Sequence, residues 1–186
     1  MRRQYSFLDS RCATPAQRAG VACMFFGLAL SMGVGFELHP ITAVSAARTS
    51  AFASAGIEIR TKDEVIPVTV EIAATADQRM TGLMGRAHLA RDAGMLFLYP
   101  ATQPPQSGFW MYHTRIPLDI AFIQPGGRIA SIQTMSPCFS ELPSACRPYL
   151  AGVNYSSALE VNKGFFARHD IEVGDQVIGI GTSGMR

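Results

Sequence analysis

Apolar and polar positions alternate along Ile57-Glu58-Ile59-Arg60 and again from Val65 to Ile72, the period of half-buried strands. Thr61-Lys62-Asp63-Glu64 between them reads as a turn, and Pro67 suits an edge strand. The period then changes. Met80, Leu83 and Met84 fall at i, i+3 and i+4 and form a narrow helical stripe. The stripe is opened by Thr75-Ala76-Asp77-Gln78, a capping-box pattern with Asp77 in the first turn. Gly85 is the expected C-cap, and the internal Gly82 makes so short a helix dependent on tertiary packing.

Further on, Met95 to Tyr99 is apolar on both faces and predicts a buried strand. Pro100 to Ser107 is a proline-rich loop. Phe109 to His113 and Leu118 to Ile123 read as strands split by Pro117, and Gln124-Pro125-Gly126-Gly127 as a hairpin turn into Arg128 to Met135. Ala158 to Val161, a short helical piece around Asn162 to His169, and Gln176 to Ile180 complete the domain. There is no repeat and no strand–helix rhythm, which argues against a doubly wound sheet. The expected fold is mainly β, a β-sandwich or distorted barrel of short strands with one or two short helices.

Composition changes this picture mainly at the front. Arg2, Arg3, Arg11 and Arg18 precede Ala19 to Phe36, a stretch without charge, and Val44-Ser45-Ala46 is a small-residue cleavage pattern. Residues 1–46 are therefore expected to be a cleaved signal peptide or an N-terminal membrane anchor, residues 47–56 a linker, and residues 57–182 one β-rich domain. The domain is placed outside the cytoplasm, in the periplasm, touching the membrane only through an uncleaved leader. Four of the 16 basic and two of the 14 acidic residues lie in that leader, so the net charge of +2 belongs to it and the remainder is formally neutral. No net basic field is left to attract phosphate backbones, so no nucleic acid is expected as a partner.

Cys12 and Cys23 sit in the leader, whereas Cys138 and Cys146 bracket a loop of the domain and are expected to form a disulfide. The four histidines show no metal-ligand spacing, so neither a metal nor another cofactor is predicted.

Asp119 stands in an apolar run with no suitable local partner, because Arg115 is roughly 13 Å away along an extended segment. An unpaired buried carboxylate costs several kcal/mol, so a partner from another element is expected. Arg79 and Arg86, seven residues apart, would share a helix face with Gly82 between them. The bland reading is an Arg–Asp bridge pinning helix to sheet. The sharper one is a polar recess framed by Arg79, Arg86, Trp110 and Asp119, where Gly82 would let a backbone or ligand approach closely.

The stretches QRMTGLMGR, GMLFLYP, FWMYHTRIPLDIAFI, GRIASI, ALEVNKG and IEVGDQV, in this order, resemble the domain-of-unknown-function 192 family (DUF-192), from about Val65 to Ile180. The family pattern falls on Arg79, Gly82, Leu83, Met84 and Arg86, then on Phe109, Trp110, Met111, Thr114, Leu118 and Asp119. It falls last on Leu159, Glu160, Gly174 and Asp175. Tyr112-His113 stands where the family usually has Lys-Asn. The resemblance implies a compact β-rich fold with a small helix, commonly behind a signal or anchor, and implies no activity.

Three functions compete. One is a non-catalytic binding module for a small polar or anionic ligand, held at Arg79, Gly82, Arg86, Trp110, Tyr112, Thr114 and Asp119. Another is a hydrolase acting on an envelope glycan through the carboxylates Asp119 and Glu160, with His113 as a further candidate base. The last is a structural accessory domain. No G-x-S-x-G motif supports an enzyme, and the composition leaves the oligomeric state open.

Overall fold

A computed structural model describes residues 52–180 of the chain, so the leader, the first part of the expected linker and the last six residues lie outside the described region. Strands β1 (Ala53–Arg60) and β2 (Val65–Ala73) form an antiparallel pair. The first strand starts inside the stretch read as linker, because Ala53 to Gly56 pair backbone to backbone with Thr69 to Ile72 whatever their small side chains. Helix α1 (Ala76–Thr81) follows, then β3 (Ala93–Gln103), β4 (Gly108–Trp110), β5 (Leu118–Ile123) and β6 (Ile129–Met135). A 3-10 turn (Pro143–Ala145), β7 (Pro148–Leu150), β8 (Tyr155–Asn162), α2 (Phe165–Arg168) and β9 (Gln176–Ile178) complete the order.

The architecture is mainly β, a curled seven-stranded half-barrel with two short helices. The strand order is β6-β5-β8-β3-β2-β1-β9, and β4 and β7 make a separate two-stranded sheet. Every neighbouring pair in the large sheet is antiparallel except β2 and β3, which run parallel with α1 as their connection. The two edge strands meet at one end. Val177 donates to the Gly127 carbonyl at 2.8 Å and Ile129 to Asp175 at 2.9 Å, so the curl nearly closes there.

Pro67 lies inside the sheet order rather than on an edge strand. It is tolerated because β2 pairs with β3 only from Thr69 onward, leaving one side of Pro67 without a neighbouring strand. The other surprise is the length of β3, which continues through Pro100 to Gln103 across an irregularity in its pairing with β8. The first half of the region read as a loop is therefore strand, bent by a bulge, while Pro104 to Ser107 form the turn.

Two apolar cores form, one on each face of the central strands. One gathers Ile59, Val70, Ile123, Leu159 and Val161 with Phe165 and Phe166 of α2. The other gathers Met95, Phe97, Ile120, Phe122 and Tyr155 with Leu83, Met111 and Tyr149. All six residues of β5 are buried in consequence, which is why its sequence is apolar except at Asp119 rather than alternating.

Candidate functional site

The site is built on the second core, where α1 ends. Thr75 caps the helix as its sequence predicts: its hydroxyl accepts from the Gln78 amide at 3.2 Å, and the Gln78 side chain accepts from the Thr75 amide at 3.1 Å. The helix stops sooner than its apolar stripe implies. Gly82, not Gly85, is the C-cap, with φ +46° and ψ −133°, a conformation open essentially to glycine alone. A Cβ at this position would lie 3.3 Å from the Phe97 ring. Gly82 thus lets the chain turn directly over the aromatic core, where Phe97 meets Phe109 edge-on at 4.8 Å.

Beyond that turn the two arginines part. Arg79 donates to the carbonyls of Ala74 and Leu98, the latter at 2.9 Å, and its guanidinium lies 5.0 Å from the centre of the Tyr99 ring. Arg86 lies past the helix end and grips the Glu71 carboxylate of β2 with both terminal nitrogens, one bond being 2.7 Å. The hydrogen bond to Glu71 also holds the Arg86 guanidinium above its usual range. The shared face expected for Arg79 and Arg86 does not form, because the helix ends between them.

Neither arginine reaches Asp119. The Asp119 carboxylate, 5% exposed, accepts from the Thr134 hydroxyl at 2.7 Å and from the Gly164 amide at 2.7 Å. It ties β5 to β6 and to the entrance of α2, and the expected Arg–Asp bridge is replaced by neutral donors. Cross-strand register separates it further from the recess. Asp119 stands opposite Val161, whereas Ile120 stands opposite Glu160, so Asp119 and Glu160 project to opposite faces of the sheet. The two carboxylates do not share a site.

Glu160 is the group that the sequence pattern underrates. It is 4% exposed, and Met95 and Ile120, directly across on β3 and β5, are fully buried. Its carboxyl makes no hydrogen bond or ion pair with any described residue, which is uncommon for a buried polar group. Yet among the described residues no fully enclosed side-chain oxygen lacks a partner, so the Glu160 oxygens look into open space. That space is a small recess of about 30 Å³ between the end of α1, Phe97, Thr114 and the edge of Trp110, room for one or two waters. Burial pushes the Glu160 carboxyl up to about 8, with no neighbouring charge opposing the shift.

Trp110, on β4, is 43% exposed at the rim. The strand expected to run through His113 ends here, because His113 adopts φ +53° and turns the chain. From the rim an aromatic row runs outward: Tyr112 lies 5.4 Å from Trp110 and stacks on His113 at 3.9 Å. The row leads to the loop closed by the Cys138–Cys146 disulfide, where Tyr112 makes a bridge to Cys138 and His113 lies 3.9 Å from Glu141. Met84 borders both the recess and a wider open groove of about 420 Å³, which His113, Arg115, Phe139 and Glu141 line.

Of the residues expected at the site, Arg79, Gly82, Trp110 and Thr114 line the recess, Tyr112 and His113 flank it, and Arg86 and Asp119 are engaged elsewhere. The motifs that carry the family resemblance, distant in sequence, supply most of the lining: Arg79 to Met84 without Met80 and Thr81, then Phe109, Trp110, Thr114 and Glu160. Among the described residues no three of His, Cys, Asp and Glu gather closely enough to hold a metal, and no helix is long and apolar enough to cross a membrane.

Two solved structures are similar to this chain. One is from Sinorhizobium meliloti 1021, provisionally named a transcription regulator, with a TM-score of 0.61 and 32% identity over 68% of this chain and 94% of that one. The other is a protein of unknown function from Novosphingobium aromaticivorans DSM 12444, with a TM-score of 0.58 and 28% identity over 75% of this chain and 89% of that one. No curated protein matches the chain. The family model of DUF192, described as an uncharacterised ACR, matches residues 57–179, nearly the whole described region, and the chain belongs to that family.

Proposed function

We propose that the protein is a non-catalytic binding module acting outside the cytoplasm, with the Glu160 recess as its ligand site. One observation carries the reading: a buried carboxyl without a protein partner opens onto a concave, aromatic-rimmed space. Buried polar groups are almost always satisfied, so an orphan facing a recess is poised for a group that arrives with the ligand. Trp110 at the rim and the adjoining groove give the rest of such a ligand an apolar wall and room.

The ligand is small at its inner end, since the recess has room for only one or two waters. An anionic inner end is disfavoured, because Arg86 is committed to Glu71 and Arg79 to backbone carbonyls. Turnover by paired carboxylates has no geometry to support it, with Asp119 on the opposite face. The extracytoplasmic setting rests on the basic-then-apolar leader and the disulfide.

Trp110 is the chain's single tryptophan, so its emission reports this site alone. Titration with a panel of amines, alcohols, sugars and organic acids should reveal a saturable change that Glu160→Gln weakens. The reading fails if soluble quenchers reach Trp110 but no member of the panel alters its emission.

A further inference from the structure

The ionisable groups around Glu160 come from two elements. Arg79 on α1 is turned to the Ala74 and Leu98 carbonyls and the Tyr99 ring. Tyr99 on β3 is held neutral by burial and then by its neighbour Tyr155. From β5, β4 and the Thr114 turn only Ile120, Phe109, Trp110 and Thr114 approach, and none of these titrates. The one unpartnered ionisable group of the recess is therefore an acid. Its wall includes the carbonyl end of α1, where among the described residues the Arg79 and Met80 carbonyls accept no backbone hydrogen bond. An exposed indole beside a carboxyl and free carbonyls favours a positively charged head group.

Resting on the ligand-site reading above, we infer that the recess selects a primary ammonium group, the head of a free alkylamine or of a lysine side chain. The ammonium takes the floor of the recess and the alkyl chain lies along Trp110 and Met84. Binding converts the Glu160 carboxylic acid to carboxylate: its O–H bond breaks, the proton leaves to solvent, and the ammonium keeps its three protons as donors. No other bond changes. Because burial holds the acid neutral up to about pH 8, affinity rises about tenfold for each pH unit approaching that value from below. It falls again near pH 10, where the amine loses its own proton.

The test titrates purified protein with n-butylammonium, n-butanol and butyrate, following Trp110 emission and, in lightly buffered solution, proton release. The inference predicts that butylammonium binds best, releases about one proton per site at pH 7, and loses at least tenfold in affinity in Glu160→Gln. A peptide blocked at its N-terminus and carrying one lysine separates the two sources. Binding at least tenfold tighter than butylammonium assigns a polypeptide lysine, and binding no tighter assigns a free amine; both results support an ammonium site. Preference for butanol or butyrate, or binding without proton release, overturns the ammonium assignment but leaves a ligand site standing. Silence from all three probes and from the peptide overturns both.

Discussion

Asp119 offers the sharpest energetic test of the fold around the site. Its carboxylate holds two donors at 2.7 Å, the Thr134 hydroxyl from β6 and the Gly164 amide at the start of α2. Hydrogen bonds to a charged group contribute about 1.5–3 kcal/mol each, and the Gly164 amide has no alternative acceptor among the described residues. Asp119→Ala should therefore destabilise by about 3–5 kcal/mol. Asp119→Asn keeps an acceptor for Gly164 and lets the Thr134 hydroxyl reverse, so it should cost roughly 1 kcal/mol. Because Thr134 is exposed, its share is at the low end, and a double-mutant cycle between Asp119→Ala and Thr134→Val should give a coupling of about 1 kcal/mol. Cycles with Arg79→Ala and Arg86→Ala should give none. Urea denaturation of the set reads all of these values. Coupling to either arginine, with additivity toward Thr134, would refute the assignment of partners.

Gly82→Ala should destabilise by about 2 kcal/mol in the same denaturation assay, since φ +46° strains any side chain and the new Cβ presses on Phe97. The Cys138–Cys146 bridge closes a short loop, and reducing it should lower stability by about 2–3 kcal/mol. Thiol labelling of denatured, unreduced protein should find Cys138 and Cys146 blocked. His113 turns the chain at φ +53°, which asparagine tolerates and β-branched residues do not, so His113→Val should cost about 1–2 kcal/mol while His113→Asn is neutral or slightly stabilising. Glu160 has its folded pKa raised from 4.5 to about 8, so the folded state holds a proton that the unfolded state has lost between those values. Its stability contribution is then full below pH 4.5 and declines, by a few kcal/mol, as pH rises to 8. Thermal unfolding of Glu160→Gln should lack that decline.

Much of the β architecture is legible because each strand's solvent exposure is written in its apolar period. The run of β5, apolar except for Asp119, marks a strand covered on both faces, and the Thr75–Gln78 pattern marks the start of α1. What escapes the sequence is set by non-local geometry. Pro148 to Leu150 form a strand only because β4 lies alongside, and β2 and β3 run parallel only because α1 returns the chain. At the site, Trp110, Gly82, Thr114 and Arg79 line one recess. Arg86 does not, because spacing seven residues apart implies a shared face only if a helix spans them, and this helix stops at Gly82. Asp119 and Glu160 look alike in sequence, each an acid among apolar residues. Only strand register tells that one is satisfied by Thr134 and Gly164 and the other faces the recess. The Lys-Asn of the family pattern finds a physical reading at its second position, where the chain needs a left-handed residue rather than an amide for chemistry.

The proposed function stands on a Glu160 carboxyl that is neutral and unpartnered in an open recess. Carbon-detected NMR of the glutamate side-chain carboxyls, with Glu160 assigned by its loss in Glu160→Gln, measures this directly across a pH titration. The account predicts a Glu160 resonance that is still protonated at pH 7, titrates near pH 8, and shifts when butylammonium is added. A Glu160 carboxyl that ionises near 4.5 and ignores every added ligand would contradict it.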